Sequence, residues 1–239
     1  MDKITKPTHL DHRQRMKKKY KANGIRGWLD YEILEFALFY AIGRRDTKPL
    51  AKELLSRFKT INGVLDADLK GLKEIDGISE HTALFLKFLK DMCSCYLEKG
   101  LYDRDLLSSP QLVYDYLKVT LKGNPDEEFK ALFLNSRNRL LALESIQKGT
   151  VNKSSIYPRK IVERALYHHA VSVIVAHNHP GESLTPSADD RKVTQALAEA
   201  LKTVEVALLD HIIIGGQGYF SFKEHSTERG FGGNESQSF

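Results

Sequence analysis

Cysteine is nearly absent. The 239 residues contain two, Cys93 and Cys95, and their spacing on a helical pattern turns the side chains apart. A disulfide scaffold and a cysteine zinc cluster are both excluded, and a reducing, cytoplasmic setting is expected. Long apolar runs are absent too. The longest, Ile33 to Ile42, carries Glu35 and falls short of the roughly 20 residues that a membrane helix needs. The first residues have no apolar stretch with a small-residue cleavage site, and Asp2, Asp11 and the scarcity of serine do not suit a transit peptide. What is present is ordinary for a globular chain: 41% hydrophobic and 28% charged residues.

The charge is uneven. Residues 1–100 hold 20 Lys+Arg against 14 Asp+Glu, and the remainder 16 against 17, so the net +5 lies in the first part. It is concentrated in residues 1–26, which hold nine bases and two acids and are densest at Lys17, Lys18, Lys19 and Lys21. Such a segment reads as a basic flexible arm, either a phosphate-attracting element or a solvated terminus.

Two patterns divide the rest. From Tyr31 to about Leu97 the spacing is helical, with Leu34, Leu38 and Ile42 on one face and Leu50, Leu54, Leu55 and Phe58 on another. From Lys130 the period becomes two. Ala131–Asn135, the turn Ser136-Arg137-Asn138 and Leu140–Ile146 read as a hairpin. Tyr157-Pro158 opens a helix, Val171–Ala176 reads as a buried strand, Ala188–Thr203 as an amphipathic helix and Val206–Ile214 as another strand. Tyr219–Phe222 suggests a closing hairpin. The expected organisation is a basic arm (1–26), a helical domain (27–100), a seam near Glu98–Ser109, a strand–helix domain (108–224) and a disordered polar tail (225–239).

Within the helical part, Leu72–Ala83 pairs a short helix with a longer one through Gly77-Ile78-Ser79. Backbone N–H groups at the start of the second helix favour a phosphate there. The segment resembles a helix-hairpin-helix motif, a sequence-independent reader of the DNA backbone, with Ser79 where the family pattern has glycine. The resemblance implies DNA contact through Gly77, Ile78 and Ser79, with the basic arm assisting. A compact packing unit with a serine N-cap is the alternative.

The chemically informative stretch follows the strand Val171–Ala176. His177 and His179, two apart on an extended segment, project from one face, and Asn178 points the other way. Seven residues later, Ser187-x-x-Asp190 starts a helix. Alone it is a capping box. If the loop returns that first turn over the strand end, Asp190 becomes a third ligand, and two histidines with one carboxylate leave a coordination position open, as in catalytic zinc sites. Other zinc-hydrolase signatures are missing: there is no His-Glu-x-x-His and no Pro-Cys-x-x-Cys.

The spacing resembles the JAMM (MPN+) metallopeptidase core, His-x-His, seven residues, Ser-x-x-Asp. From about Gly27 to Glu224 the chain is similar to bacterial RadC-family (UPF0758) proteins, through Gly149-Thr150-Val151-Asn152, Tyr157-Pro158-Arg159, Ala176–Pro180 and Asp210-His211-Ile212-Ile213. Gly181-Glu182 stands where that family has Ser-Gly. The resemblance implies an α+β fold: an all-helical helix-hairpin-helix domain, then a cytidine-deaminase-like α/β domain with a mixed sheet flanked by helices. It also implies Zn²⁺ bound by His177, His179 and Asp190. An upstream glutamate would shuttle the proton of the activated water, and Ser187 would stabilise the oxyanion. Glu144 is the expected glutamate, because Glu127 and Glu128 precede the hairpin and Glu163 lies on a helix.

The implied activity is hydrolysis of a peptide or isopeptide bond in a protein substrate. The alternatives are a DNA-associated metal-dependent nuclease or repair protein, and a binding protein with a structural metal. His211 reads as a core histidine or one that supports a ligand, and His168-His169 as a helix end.

Overall fold

The computed structural model describes residues 9–102, 104–149, 158–181, 183–216 and 218–226. Its elements divide into two units, residues 1–92 and 93–239.

The first unit is helical: α1 (His9–Asn23), α2 (Asp30–Ala41), α3 (Lys48–Phe58), α4 (Ile61–Asp66), α5 (Leu69–Lys73) and the first turns of α6 (Glu80–Tyr102). Short caps start the small helices. Thr60 Oγ1 accepts from Gly63 N at 2.9 Å and Asp68 Oδ1 from Gly71 N at 2.6 Å. The two apolar faces read from the sequence meet in one core around Leu34, Leu38, Leu50, Leu54, Leu72 and Leu86.

From residue 9 the basic segment is not an arm but helix α1. Met16 packs with Trp28 and Phe39, and His12 Nε2 lies 2.8 Å from the buried Glu35 carboxylate. The Arg13 guanidinium donates to the carbonyls of Phe39, Ile42 and Arg45 at 3.3, 2.7 and 2.7 Å. The first two are carbonyls that the end of α2 leaves unpaired, and Arg45 lies in the loop that follows. Composition hid this packing, because only three inward positions among many lysines carry it. Residues 1–8 of the arm lie outside the described residues.

In the hairpin turn, Gly77 takes φ +88°, and a Cβ there would stand 3.1 Å from the Arg45 guanidinium. Ser79 is not among the residues with positive φ. Its Oγ accepts from Thr82 N at 3.3 Å, as an N-cap does.

The second unit holds the rest of α6, α7 (Pro110–Leu121), β1 (Glu128–Leu134), β2 (Leu140–Lys148), α8 (Pro158–Tyr167), β3 (Ser172–Asn178), α9 (Ala188–Lys202), β4 (Ala207–Gly215), β5 (Gly218–Ser221) and α10 (Phe222–Ser226). The residues expected as a seam belong to this unit by packing, since Leu97, Leu101 and Leu106 join its core. Helix α7 is an addition to the sequence reading. Pro110 at its first turn and buried Val113, Tyr116, Leu117 and Leu121 on one face account for it. Residues 150–157, Glu182 and 227–239, with most of the expected tail, lie outside the described residues.

The five strands form one mixed sheet in the order β2-β1-β3-β4-β5. β1 runs antiparallel to β2 and β3, β3 is parallel to β4, and β5 is antiparallel to β4. The β1–β2 turn is locked by Asn135 Oδ1, which accepts from Arg137 N and Arg139 N at 2.8 and 3.1 Å. β3 is buried along its whole length, as a strand covered on both faces must be. One face packs Leu132, Leu134, Ile174 and Ile214 against α7 residues, and the other packs Phe129, Phe133, Val173 and Val175 against Ile161 and Ala165 of α8 and Leu197 and Leu201 of α9. The architecture is therefore α+β, with a mixed sheet flanked by helices. No helix among the described residues is long and apolar enough to cross a membrane.

Candidate metal centre

The end of β3 delivers His177 and His179 to one face, and the first turn of α9 delivers Asp190. One ligand atom from each lies within 4.8 Å of the others. His177 Nε2 is 3.0 Å from His179 Nε2 and 3.2 Å from Asp190 Oδ1, and His179 Nε2 is 3.3 Å from Asp190 Oδ2.

Helix α9 brings Asp190 there because Ser187 caps it. Ser187 Oγ accepts from Asp190 N at 3.1 Å, while Asp190 Oδ2 accepts from Ser187 N and Ser187 Oγ, both at 2.7 Å. The capping-box and ligand readings of Ser187-x-x-Asp190 are thus both true of one carboxylate. Burial pushes the Asp190 carboxyl up, but hydrogen bonds with His177, His179 and Ser187 outweigh it and hold the group well below the usual range.

The ring protons can be traced. Thr194 Oγ1 donates to Asp190 O at 2.6 Å, so toward His211 Nδ1, also at 2.6 Å, it accepts. His211 is 1% exposed, and burial pushes it well below the ordinary imidazole value. Neutral, with Nδ1 protonated, it offers the Nε2 lone pair to His177 Nδ1–H at 2.8 Å. That leaves His177 Nε2 turned into the cluster. His179 Nδ1–H donates to Ser183 O at 2.9 Å, which turns its Nε2 to the same point.

Two imidazole nitrogens and a carboxylate converge on one point. A divalent cation fits that donor set. The hydrogen bond to Asp190 raises His179, with smaller help from the Ser183 carbonyl and the charges of Asp190 and Glu127. A proton taken up there and a cation would compete for one lone pair.

Sequence reasoning placed His211 correctly in the core. It missed Thr194, whose only signal is its position four residues after Asp190 on the buried face of α9.

Glu144 is not brought into this cluster. Its β1 partner is Ala131, whose β3 partner is Val175, which leaves it two strand spacings, ~10 Å, from β3. Its carboxylate is held instead by α8. Arg164 Nε donates to Oε2 at 2.7 Å, Arg164 Nη2 bonds Oε1, and His168 Nε2 lies 2.6 Å from Oε1. The Arg164 hydrogen bonds come first in lowering its pKa to about 2, and His168 adds to them. His168 is thus more than a helix end.

The glutamate whose charge acts on the cluster is Glu127, which adds to the rise at His179. Phe129 pairs with His177 and its ring stacks on that imidazole at 5.8 Å. The ladder ends at that pair; the same register carried two residues further would put Glu127 across from His179, on the same face. Glu127 does precede the hairpin. Because β1 is antiparallel to β3, however, the start of β1 lies beside the end of β3. Glu128, on the opposite face, is buried and paired with Lys130 and Lys148 at 3.1 and 3.3 Å.

Comparison with known proteins agrees with this geometry. The model of the RadC-like JAB domain matches residues 107–227, just over half of the chain. A UPF0758 protein of Fusobacterium nucleatum subsp. nucleatum is 39% identical over 220 residues, which cover 89% of this chain and 95% of the relative. The chain belongs to the RadC-like (UPF0758) family, and its candidate metal centre lies within the matched JAB domain.

Proposed function

We propose that the protein is a zinc-dependent hydrolase of JAMM type that cleaves a peptide or isopeptide bond. The observation that carries this reading is the convergence of one imidazole nitrogen each from His177 and His179 with the Asp190 carboxylate, with the Glu127 charge acting on His179. A bound Zn²⁺ supplies a Lewis acid that brings the pKa of a coordinated water toward ~7.

The chain's own groups do the rest. Glu127, rather than the ion-paired Glu144, takes the proton of the attacking water and returns it to the leaving nitrogen. Ser187 Oγ–H, which rests on Asp190 Oδ2, turns to the developing oxyanion, a contribution of roughly 3–4 kcal/mol for such a donor. His211 and Thr194 keep His177 in the ligating tautomer.

The test is metal analysis beside a peptide and isopeptide substrate screen. Wild type should carry about one zinc per chain, His179→Ala none, and Glu127→Gln should keep zinc and lose turnover. A Glu127→Gln variant with full turnover would remove the base from this scheme.

DNA association through the helical unit is the second reading. Its support is that α1 turns Met16, His12 and Arg13 inward and leaves Lys17, Lys18 and Lys21 exposed, while Arg45 lies against the Gly77 turn. Binding to duplex DNA should weaken steeply with salt, and Lys17→Glu with Lys21→Glu should flatten that slope. No retention at low salt would remove this reading, and with it the nuclease alternative.

A further inference from the structure

Between the two ligand histidines sits a side chain that faces away from them. Asn178 is 3% exposed and spends its whole amide on one segment of chain. Its Oδ1 accepts from Glu128 N at 2.8 Å, and its Nδ2 donates to Asp126 O at 3.1 Å and Asn124 O at 3.4 Å.

The two ends of that segment have other bonds: Asn124 Nδ2 donates to Thr120 O at 3.3 Å and to Glu128 Oε2 at 3.1 Å, and Glu128 pairs with Lys148 of β2. The β1–β3 ladder ends at Phe129↔His177, and residues 124–127 belong to no regular element. On the other side, Gly149 N donates to Glu127 O at 3.2 Å. The Asn178 amide therefore substitutes for the missing ladder bonds over the residues that lead to Glu127.

We infer that Asn178 is a positioning residue: its amide holds the 124–128 segment so that the Glu127 carboxylate stays across from His179. The inference rests on the reading of Glu127 as proton carrier. The chemistry explains the residue type. The segment presents one N–H and two carbonyls, and an asparagine amide offers one acceptor and two donors in a plane. Aspartate would keep the acceptor but set a charge against two carbonyls, and serine would be too short to span them. Strand alternation explains the place: the residue between two same-face ligands must point to the opposite face, where it reaches the incoming chain without touching the metal ligands.

The experiment uses the full chain. In the metal-free protein, amide exchange at residues 126–129 should rise at least tenfold in Asn178→Asp, while exchange within α9 stays at the wild-type rate. Asn178→Ser, which buries no charge, guards against misfolding as the cause and should show the same local rise. Both variants should still bind one Co²⁺ per chain. The Co²⁺ absorption spectrum of Asn178→Asp should shift as that of Glu127→Gln does, and the double variant should shift no further. On any peptide found to be hydrolysed, kcat should fall about 10–100-fold with KM little changed.

Unchanged exchange at residues 126–129, or spectral shifts that add in the double variant, would overturn the inference. A Glu127→Gln spectrum identical to wild type would instead count against Glu127 as the base, and the exchange result would still decide whether Asn178 holds the segment.

Discussion

His211 Nε2 stands 2.8 Å from His177 Nδ1, deep in the sheet, and the hydroxyl of Thr194 decides which of these two nitrogens carries the proton. The pair links a buried ring to a ring of the candidate metal centre and fixes which His177 nitrogen faces the cluster. Thr194→Val removes the hydroxyl and frees the His211 tautomer. Zinc affinity should drop roughly 10-fold, and His211→Phe should cost more, up to about 100-fold, at unchanged stoichiometry. Competition with a chromogenic chelator measures both.

Asp190 closes the capping box of α9 and is proposed as a ligand, two roles that mutation can separate. Asp190→Asn keeps a side chain able to accept from Ser187 N but removes the charged ligand, so zinc should be lost while α9 stays folded. Ser187→Ala removes the cap bond to Asp190 N. It should cost about 1 kcal/mol of stability and keep zinc. Metal analysis and denaturant unfolding, run on both variants, read the two effects.

Glu144 makes a prediction with a pH window. Its folded pKa, about 2, lies below the ordinary carboxyl value of 4.5. The stabilisation from Arg164 and His168 is therefore fully present above pH 4.5 and is lost as pH falls toward 2. The group is partly exposed, so the effect is modest. In thermal melts, Glu144→Gln should show a shallower acid decline than wild type over that window, and it should retain zinc and turnover.

The docking of α1 is open to test through His12. Glu35 is 1% exposed, and His12 is its side-chain partner at 2.8 Å. His12→Ala should destabilise the helical unit by roughly 1–3 kcal/mol, with α1 amides exchanging faster. An arm that merely solvates would show neither change.

Much was legible in the sequence because the signals were local. The hairpin at Ser136-Arg137-Asn138, the buried strand before His177 and the cap at Ser187 each follow from short-range periodicity or turn chemistry, and the structure has them within a few residues. The His-x-His and Ser-x-x-Asp spacings named three groups that the structure brings within 4.8 Å. The glutamate was not legible in this way. Glu127 and Glu144 are both upstream, and nothing within a few residues of either says which lies near β3.

By itself, the sequence determined the α+β class, the division into a helical and a sheet-bearing part, and the identities of His177, His179 and Asp190, because strand alternation and helix capping act over a few residues. Tertiary structure alone decided the rest. The antiparallel pairing of β1 with β3 brings the start of β1 beside the end of β3, where Glu127 and His179 follow, and α8 commits Glu144 of β2 to Arg164 and His168. Likewise, α2 folds a lysine-rich segment against itself through Met16, His12 and Arg13. Each of these depends on which distant stretches become neighbours, and that is settled by the burial of whole faces against one another rather than by any local preference.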